Sequence, residues 1–197
     1  ATRLEAWASC PHAYFIRHVL GVSPVDDPEE QYRISPLTRG TLVHDTLDRW
    51  IAEALADDAI PDPGDAWPEP QLERLHEIAD ENARRLEHRG MVGRRVYWSR
   101  DKQVIRRDLE AFVRFDDNQR AAYGSTPIAT ELPFGMPGST TPPVEIALPD
   151  GRSITVRGAI DRVDRTSGDG LIVIDYKTGS QHGYDDLSAN DPTPNGT

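Results

Sequence analysis

The segment LIVIDYKTG, residues 171–179, decides how the rest of the chain is read. Leu171, Ile172, Val173 and Ile174 form a short branched aliphatic run with turn residues on either side, which predicts a strand covered on both faces. Side chains alternate along a strand, so Asp175 and Lys177 are expected to point the same way as it ends. A carboxylate and an ammonium so placed can hold a divalent metal and a developing oxyanion. They can also form an ordinary strand-end ion pair.

The residues just upstream favour the first reading. Residues 154–165, ITVRGAIDRVDR, alternate regularly, and TSGDG at 166–170 has the composition of a hairpin turn. Asp161 is therefore expected on a neighbouring antiparallel strand, with Gly158 close by to admit another backbone or a ligand. Asp161, Asp175 and Lys177 converge in this reading.

Further stretches carry a resemblance. GAIDRVDR (158–165), a short turn and LIVIDYKTG are preceded far upstream by RGTLVHDTLDRW (39–50) and LEAWASCPHAYFIRHVLGV (4–22). Together they resemble the PD-(D/E)XK nuclease superfamily, in particular its RecB-like and AddB-type exonuclease domains. The resemblance spans residues 4–179 and is weakest between His44 and the strands. It implies an α+β, restriction-endonuclease-like core with a mixed central sheet, N-terminal helices and a helical insertion.

The same resemblance implies a site. His44, Asp161, Asp175 and the backbone carbonyl of Tyr176 would hold Mg2+ or Mn2+, and Lys177 would orient water or neutralise charge on the phosphate. Without the resemblance, His44 reads as a histidine at the edge of an apolar helix face. Glu131 on the first core strand is a candidate acid facing the site, or a solvent-facing glutamate. The implied function is metal-dependent DNA hydrolysis, on single strands or duplex ends in double-strand break processing and recombination, beside a helicase subunit or domain. A catalytically inactive DNA-binding or docking module is the alternative.

Cys10 corresponds to the first of four iron-sulfur ligands in AddB-type relatives. It is the one cysteine in the chain, and one thiolate cannot hold a cluster alone, so a cluster requires further cysteines beyond this chain. As it stands Cys10 is expected to be a small buried apolar residue. The lone cysteine excludes an intrachain disulfide framework and fits a reducing cytoplasm.

The 197 residues suit one domain with a helical insertion. The expected division is 1–56, helical and carrying His44; 57–126, the insertion; 127–179, the core strands; and 180–197, a polar tail. Helices are expected near 2–20, interrupted at Cys10-Pro11, from Thr41 as cap to about Ala56, over 71–87 and over 101–123. Residues 23–38 read as a connector, and strands are expected at 127–134 and 144–148. The tail is polar and proline-broken where the relatives carry more of the fold, which predicts a truncated, weakly active segment.

No apolar run approaches the length of a membrane span, so a membrane protein of the helical kind is not indicated. The formal net charge of −11 is unusual for a nucleic-acid binder. Between Arg84 and Arg107, however, nine basic residues face only two acids. Arg94, Arg95, Arg100 and Lys102, interleaved with Tyr97 and Trp98, could track a phosphate backbone and stack on unpaired bases. The same pattern also fits a solvated helix face.

Overall fold

A computed structural model of the chain describes residues 2–22 and 32–179. It divides into two compact units, one of which, Tyr32–Thr178, holds the core and every strand found among the described residues. The described part of the other contains α1 (Thr2–Ser9), α2 (Pro11–Tyr14) and a π-helical turn (Phe15–Val19). Two short helices do meet at Cys10, but the thiol is exposed rather than buried. Its Sγ caps α2 by accepting the Ala13 N–H at 3.4 Å, in the place where serine usually stands. The expected tail, residues 180–197, and residues 23–31 of the expected connector lie outside the described residues.

In the larger unit α3 spans Pro36–Ala56 and begins earlier than expected. Ser35 is the cap, accepting the Thr38 N–H at 3.0 Å, and Pro36 takes the first helical position, where no N–H is missed. Thr41 lies inside the helix, bonded to the Leu37 carbonyl. The proline and the acids before it make this start resemble a connector. α4 (Glu69–His88) and α5 (Arg95–Tyr123) follow, and Gly124 ends α5 in the left-handed region at φ 55°.

The three helices enclose Leu47, Trp50, Ile51, Leu75, Ile78 and Leu109, all but fully buried. Each such side chain contributes about 1.5–3 kcal/mol by leaving water. Trp50 and Trp67 pack at 4.2 Å between ring centres, and both indoles are satisfied, by the Gln71 carbonyl and by Asp116. Burying tryptophan is inexpensive only when its N–H finds such a partner.

The main sheet is β1 (Ser125–Phe134), β4 (Gly158–Thr166) and β5 (Leu171–Ile174), in that order. β2 (Val144–Ala147) and β3 (Ser153–Val156) form a separate exposed hairpin. The expected continuous strand over 154–165 is thus split at Arg157. Gly158 admits the Phe134 ring, whose carbons would lie 3.3 Å from any Cβ placed there, so a side chain and not a ligand makes the close approach. Every strand pair among the described residues is antiparallel, so the parallel partner of a mixed sheet is not among them.

β5 corrects the expectation of a strand covered on both faces. Leu171 and Val173 are 64% and 63% exposed, and only Ile172 and Ile174 face inward. Among the described residues β5 pairs with β4 alone, which leaves it at the sheet edge.

Behind the sheet lies a buried charge network. Arg162 makes a two-point contact with Asp164 at 2.6 and 2.8 Å and pairs with Asp116 at 2.7 Å. Asp116 also receives Arg120 and the Trp67 indole. Burial opposes the Arg162 charge, but Asp164 and Asp116 outweigh it and hold its pKa above the ordinary value.

Candidate metal centre

The site is assembled by the register of two strands and one face of α3. β1 and β4 pair Thr130 with Arg162 and Leu132 with Ile160, so Glu131 and Asp161 stand opposite each other between those pairs. Glu131 adopts φ 42°, a left-handed backbone rarely taken by a residue with a side chain, while the β1–β4 register runs unshifted past it and slips only between Pro127 and Ala129. α3 packs beside this point, and its His44 Nδ1 lies 3.5 Å from Asp161 Oδ2. One ligand atom from each of His44, Glu131 and Asp161 falls within 4.8 Å of the others.

The chemistry of this trio fits a divalent cation. One imidazole nitrogen and two carboxylate oxygens suit Mn2+ and are acceptable to Mg2+. Burial raises the Glu131 pKa, and the negative charges of Asp48 and Asp161 raise it further. Asp45, next to His44, is likewise raised by burial and then by Asp48. Carboxylates pressed together this way are what a cation relieves.

Asp48 joins this group without having been expected there. It lies one turn after His44 on the same helix face, and its Oδ1 is 2.8 Å from the Thr130 hydroxyl, which also lies 3.0 Å from the Asp161 carbonyl. The i, i+4 spacing of His44 and Asp48 is the signal in the sequence that points to it.

The expected convergence with Asp175 and Lys177 takes a different form. The β4–β5 ladder ends at Arg162 and Ile174, so Asp175-Tyr176-Lys177 lies beyond the strand and alternation no longer directs it. Asp175 is not in the trio; it pairs with Lys177 at 2.6 Å, with both side chains more than half exposed. The segment is nonetheless tethered to the site, because Asp161 Oδ2 accepts the Tyr176 N–H at 2.6 Å. The Tyr176 ring is buried edge-on against His44 and Phe112, with centre separations of 5.7 and 5.3 Å. Burial raises its phenol pKa, so it stays neutral at physiological pH.

A family description, the PD-(D/E)XK nuclease superfamily, matches residues 1–191. The chain belongs to this superfamily. Among the similar curated proteins, the B-type subunit of the ATP-dependent helicase/deoxyribonuclease of Symbiobacterium thermophilum is 33% identical over 187 residues, covering 90% of this chain and 15% of the relative. The corresponding proteins of Alkaliphilus metalliredigens and Clostridium acetobutylicum are 28% and 26% identical, covering 91% of this chain and 15% of each relative. The chain thus spans about 15% of the length of the curated relatives it matches.

As a PD-(D/E)XK domain the chain combines helices with antiparallel sheets. The basic stretch needs correction. α5 begins at Arg95 rather than near Asp101, which places Trp98 inside the core at 3% exposure, its indole donating to Glu87. Trp98 therefore cannot stack on a base. Lys102 pairs with the same Glu87 at 2.9 Å, and Arg94 lies over the Tyr32 ring at 4.4 Å. Tyr97, Arg95 and Arg100 remain exposed. Among the described residues no helix is long and apolar enough to cross a membrane.

Proposed function

We propose that the chain is a metal-dependent deoxyribonuclease domain, hydrolysing phosphodiester bonds in single strands or at duplex ends as part of a helicase-nuclease that processes DNA breaks. The observation that carries this reading is the gathering of His44, Glu131 and Asp161 within 4.8 Å. Relatives named as helicase/deoxyribonuclease subunits support the choice of DNA and of a helicase partner.

His44, Asp161 and Glu131 would hold Mg2+ or Mn2+, with Asp175 and the Tyr176 carbonyl next in line beside them. A divalent ion held by these residues would supply a polarising charge for the phosphate and a more acidic water. In hydrolysis the water oxygen bonds to phosphorus as the bond to the leaving sugar oxygen breaks, the water gives one proton to solvent, and the leaving oxygen takes one from solvent to become a hydroxyl. Lys177, held by Asp175, orients that water and offsets the negative charge that grows on the phosphate. Asp161 positions Lys177 through the Tyr176 N–H.

The test is cleavage of an end-labelled DNA strand with Mn2+ or Mg2+. Cleavage that disappears on chelation and in Asp161→Ala supports the reading, and no cleavage by the unaltered chain under either metal contradicts it. A second reading, DNA binding without cutting, is favoured by the exposed Asp175–Lys177 pair standing outside the trio. It requires salt-sensitive binding with no cleavage.

A further inference from the structure

Beside the His44 face of α3 runs a groove of about 390 Å³ between α3 and α4. Its size is that of a site for a nucleotide-sized ligand. Arg85 on α4 and Arg89 at its C-terminal cap line it, with Thr41 and Asp45 of α3 and an apolar wall that includes Leu37 and Met91. Leu37 is 81% exposed, so this wall presents open apolar surface to a ligand.

The basic pair is available for a partner. Arg33, Arg39, Arg49, Arg74 and Arg120 of the larger unit are each neutralised by an acid in contact. Neither Arg85 nor Arg89 forms an ion pair among the described residues, although Asp45 feels the Arg85 charge across the groove. Arg85 Nη1 instead donates to the Asn82 amide oxygen at 3.2 Å, and the Asn82 amide nitrogen is fixed in turn by the Thr46 hydroxyl. A guanidinium oriented by a neutral partner keeps its charge for an anion.

The groove adjoins the trio through consecutive residues. Asp45 lines it and His44 belongs to the metal site, about 100° apart around one helix. We infer that this groove binds the single DNA strand next to the scissile phosphate, with Arg85 and Arg89 on a flanking phosphodiester and an unpaired base against Leu37 and Met91. The inference rests on the nuclease reading for its orientation. It adds a contact on α4 to the exposed Arg95 and Arg100 of α5. In a chain of net charge −11, two guanidiniums outside any ion pair among the described residues and beside an apolar wall match a phosphate and a base together.

The test uses a short fluorescein-labelled oligothymidylate bound to the full chain in EDTA, where cutting is blocked, across a range of salt concentrations. Arg89→Ala should weaken binding about tenfold and lower the salt slope by about one unit. Arg89→Lys should recover most of the affinity. Arg152→Ala, on the exposed hairpin beside Asp150, removes one charge elsewhere and should leave binding unchanged. Unchanged binding in both Arg85→Ala and Arg89→Ala overturns the inference. So does an equal loss in Arg152→Ala, or a wild-type chain that binds no oligonucleotide. Cleavage in Mn2+ is scored separately: a chain that cuts while the groove variants bind normally keeps the nuclease reading and loses the groove. A chain that binds through Arg89 without cutting does the reverse. Thermal melting of each variant confirms that it is folded.

Discussion

The main-chain N–H of Tyr176 donates to Asp161 Oδ2 at 2.6 Å, so the acid on β4 fixes the residue between Asp175 and Lys177. The same carboxylate faces His44 Nδ1 at 3.5 Å. One side chain therefore aligns a proposed metal ligand with the Asp-x-Lys segment after the ladder has ended. Tyr176 anchors that segment by burying its ring between His44 and Phe112. Tyr176→Ala should cost about 3–5 kcal/mol of stability through the cavity it leaves and weaken Mn2+ binding about tenfold by loosening His44. Thermal melts and Mn2+ titration check this; unchanged metal affinity would remove Tyr176 from the site's support.

Glu131 is held at φ 42° among other carboxylates. Glu131→Gln removes one negative charge from that crowd. In EDTA the variant should melt above the wild type, while in saturating Mn2+ the order should reverse. A melting temperature that responds equally to Mn2+ in both proteins would show that Glu131 does not contact the ion.

Arg162 is fully buried between Asp116 and Asp164. Arg162→Met strips Asp164 of its guanidinium, leaves Asp116 with Arg120 alone, and should destabilise the chain by about 3–5 kcal/mol. Replacing Arg162 and Asp164 together by apolar residues should recover part of that loss. Urea unfolding of the single and double variants measures it, and additive losses would contradict the coupling.

His76 supplies a pH dependence away from the metal site. Burial, then the Arg106 charge, lowers its pKa, although Glu110 lies 3.3 Å away and acts in the opposite direction. The unfolded chain therefore takes up the proton first. Stability from this residue is complete above the ordinary histidine pKa of about 6.5 and is lost as pH falls from there toward the folded value. His76→Gln should flatten the urea midpoint across that window; an unaltered pH profile would show that His76 titrates normally.

The candidate site is legible in part: the resemblance implies His44 and Asp161, and regular elements carry both. His44 stands at the edge of an α3 stripe, and Asp161 stands on an alternating strand. Glu131 is a candidate through the resemblance, with which alternation is compatible, and its φ of 42° is announced by no sequence pattern. Asp175 escapes such reasoning because periodicity stops directing side chains after Ile174, where β5 ends. Trp98 looks like a DNA contact only if α5 is started at Asp101; the extra turns from Arg95 bury it. The groove on α4 depends on the packing of α3 against α4 and on Arg85 and Arg89 having no ion-pair partner among the described residues. Neither is a property of local sequence.

The most direct measurement is calorimetric titration of Mn2+ into the wild-type chain, Asp161→Ala and Asp175→Ala. Wild type should bind, and Asp161→Ala should lose binding because Asp161 both belongs to the trio and tethers the neighbouring segment. Asp175→Ala should retain weakened binding, since that acid pairs with Lys177 outside the trio. Wild-type affinity preserved in Asp161→Ala would contradict the metal centre described above.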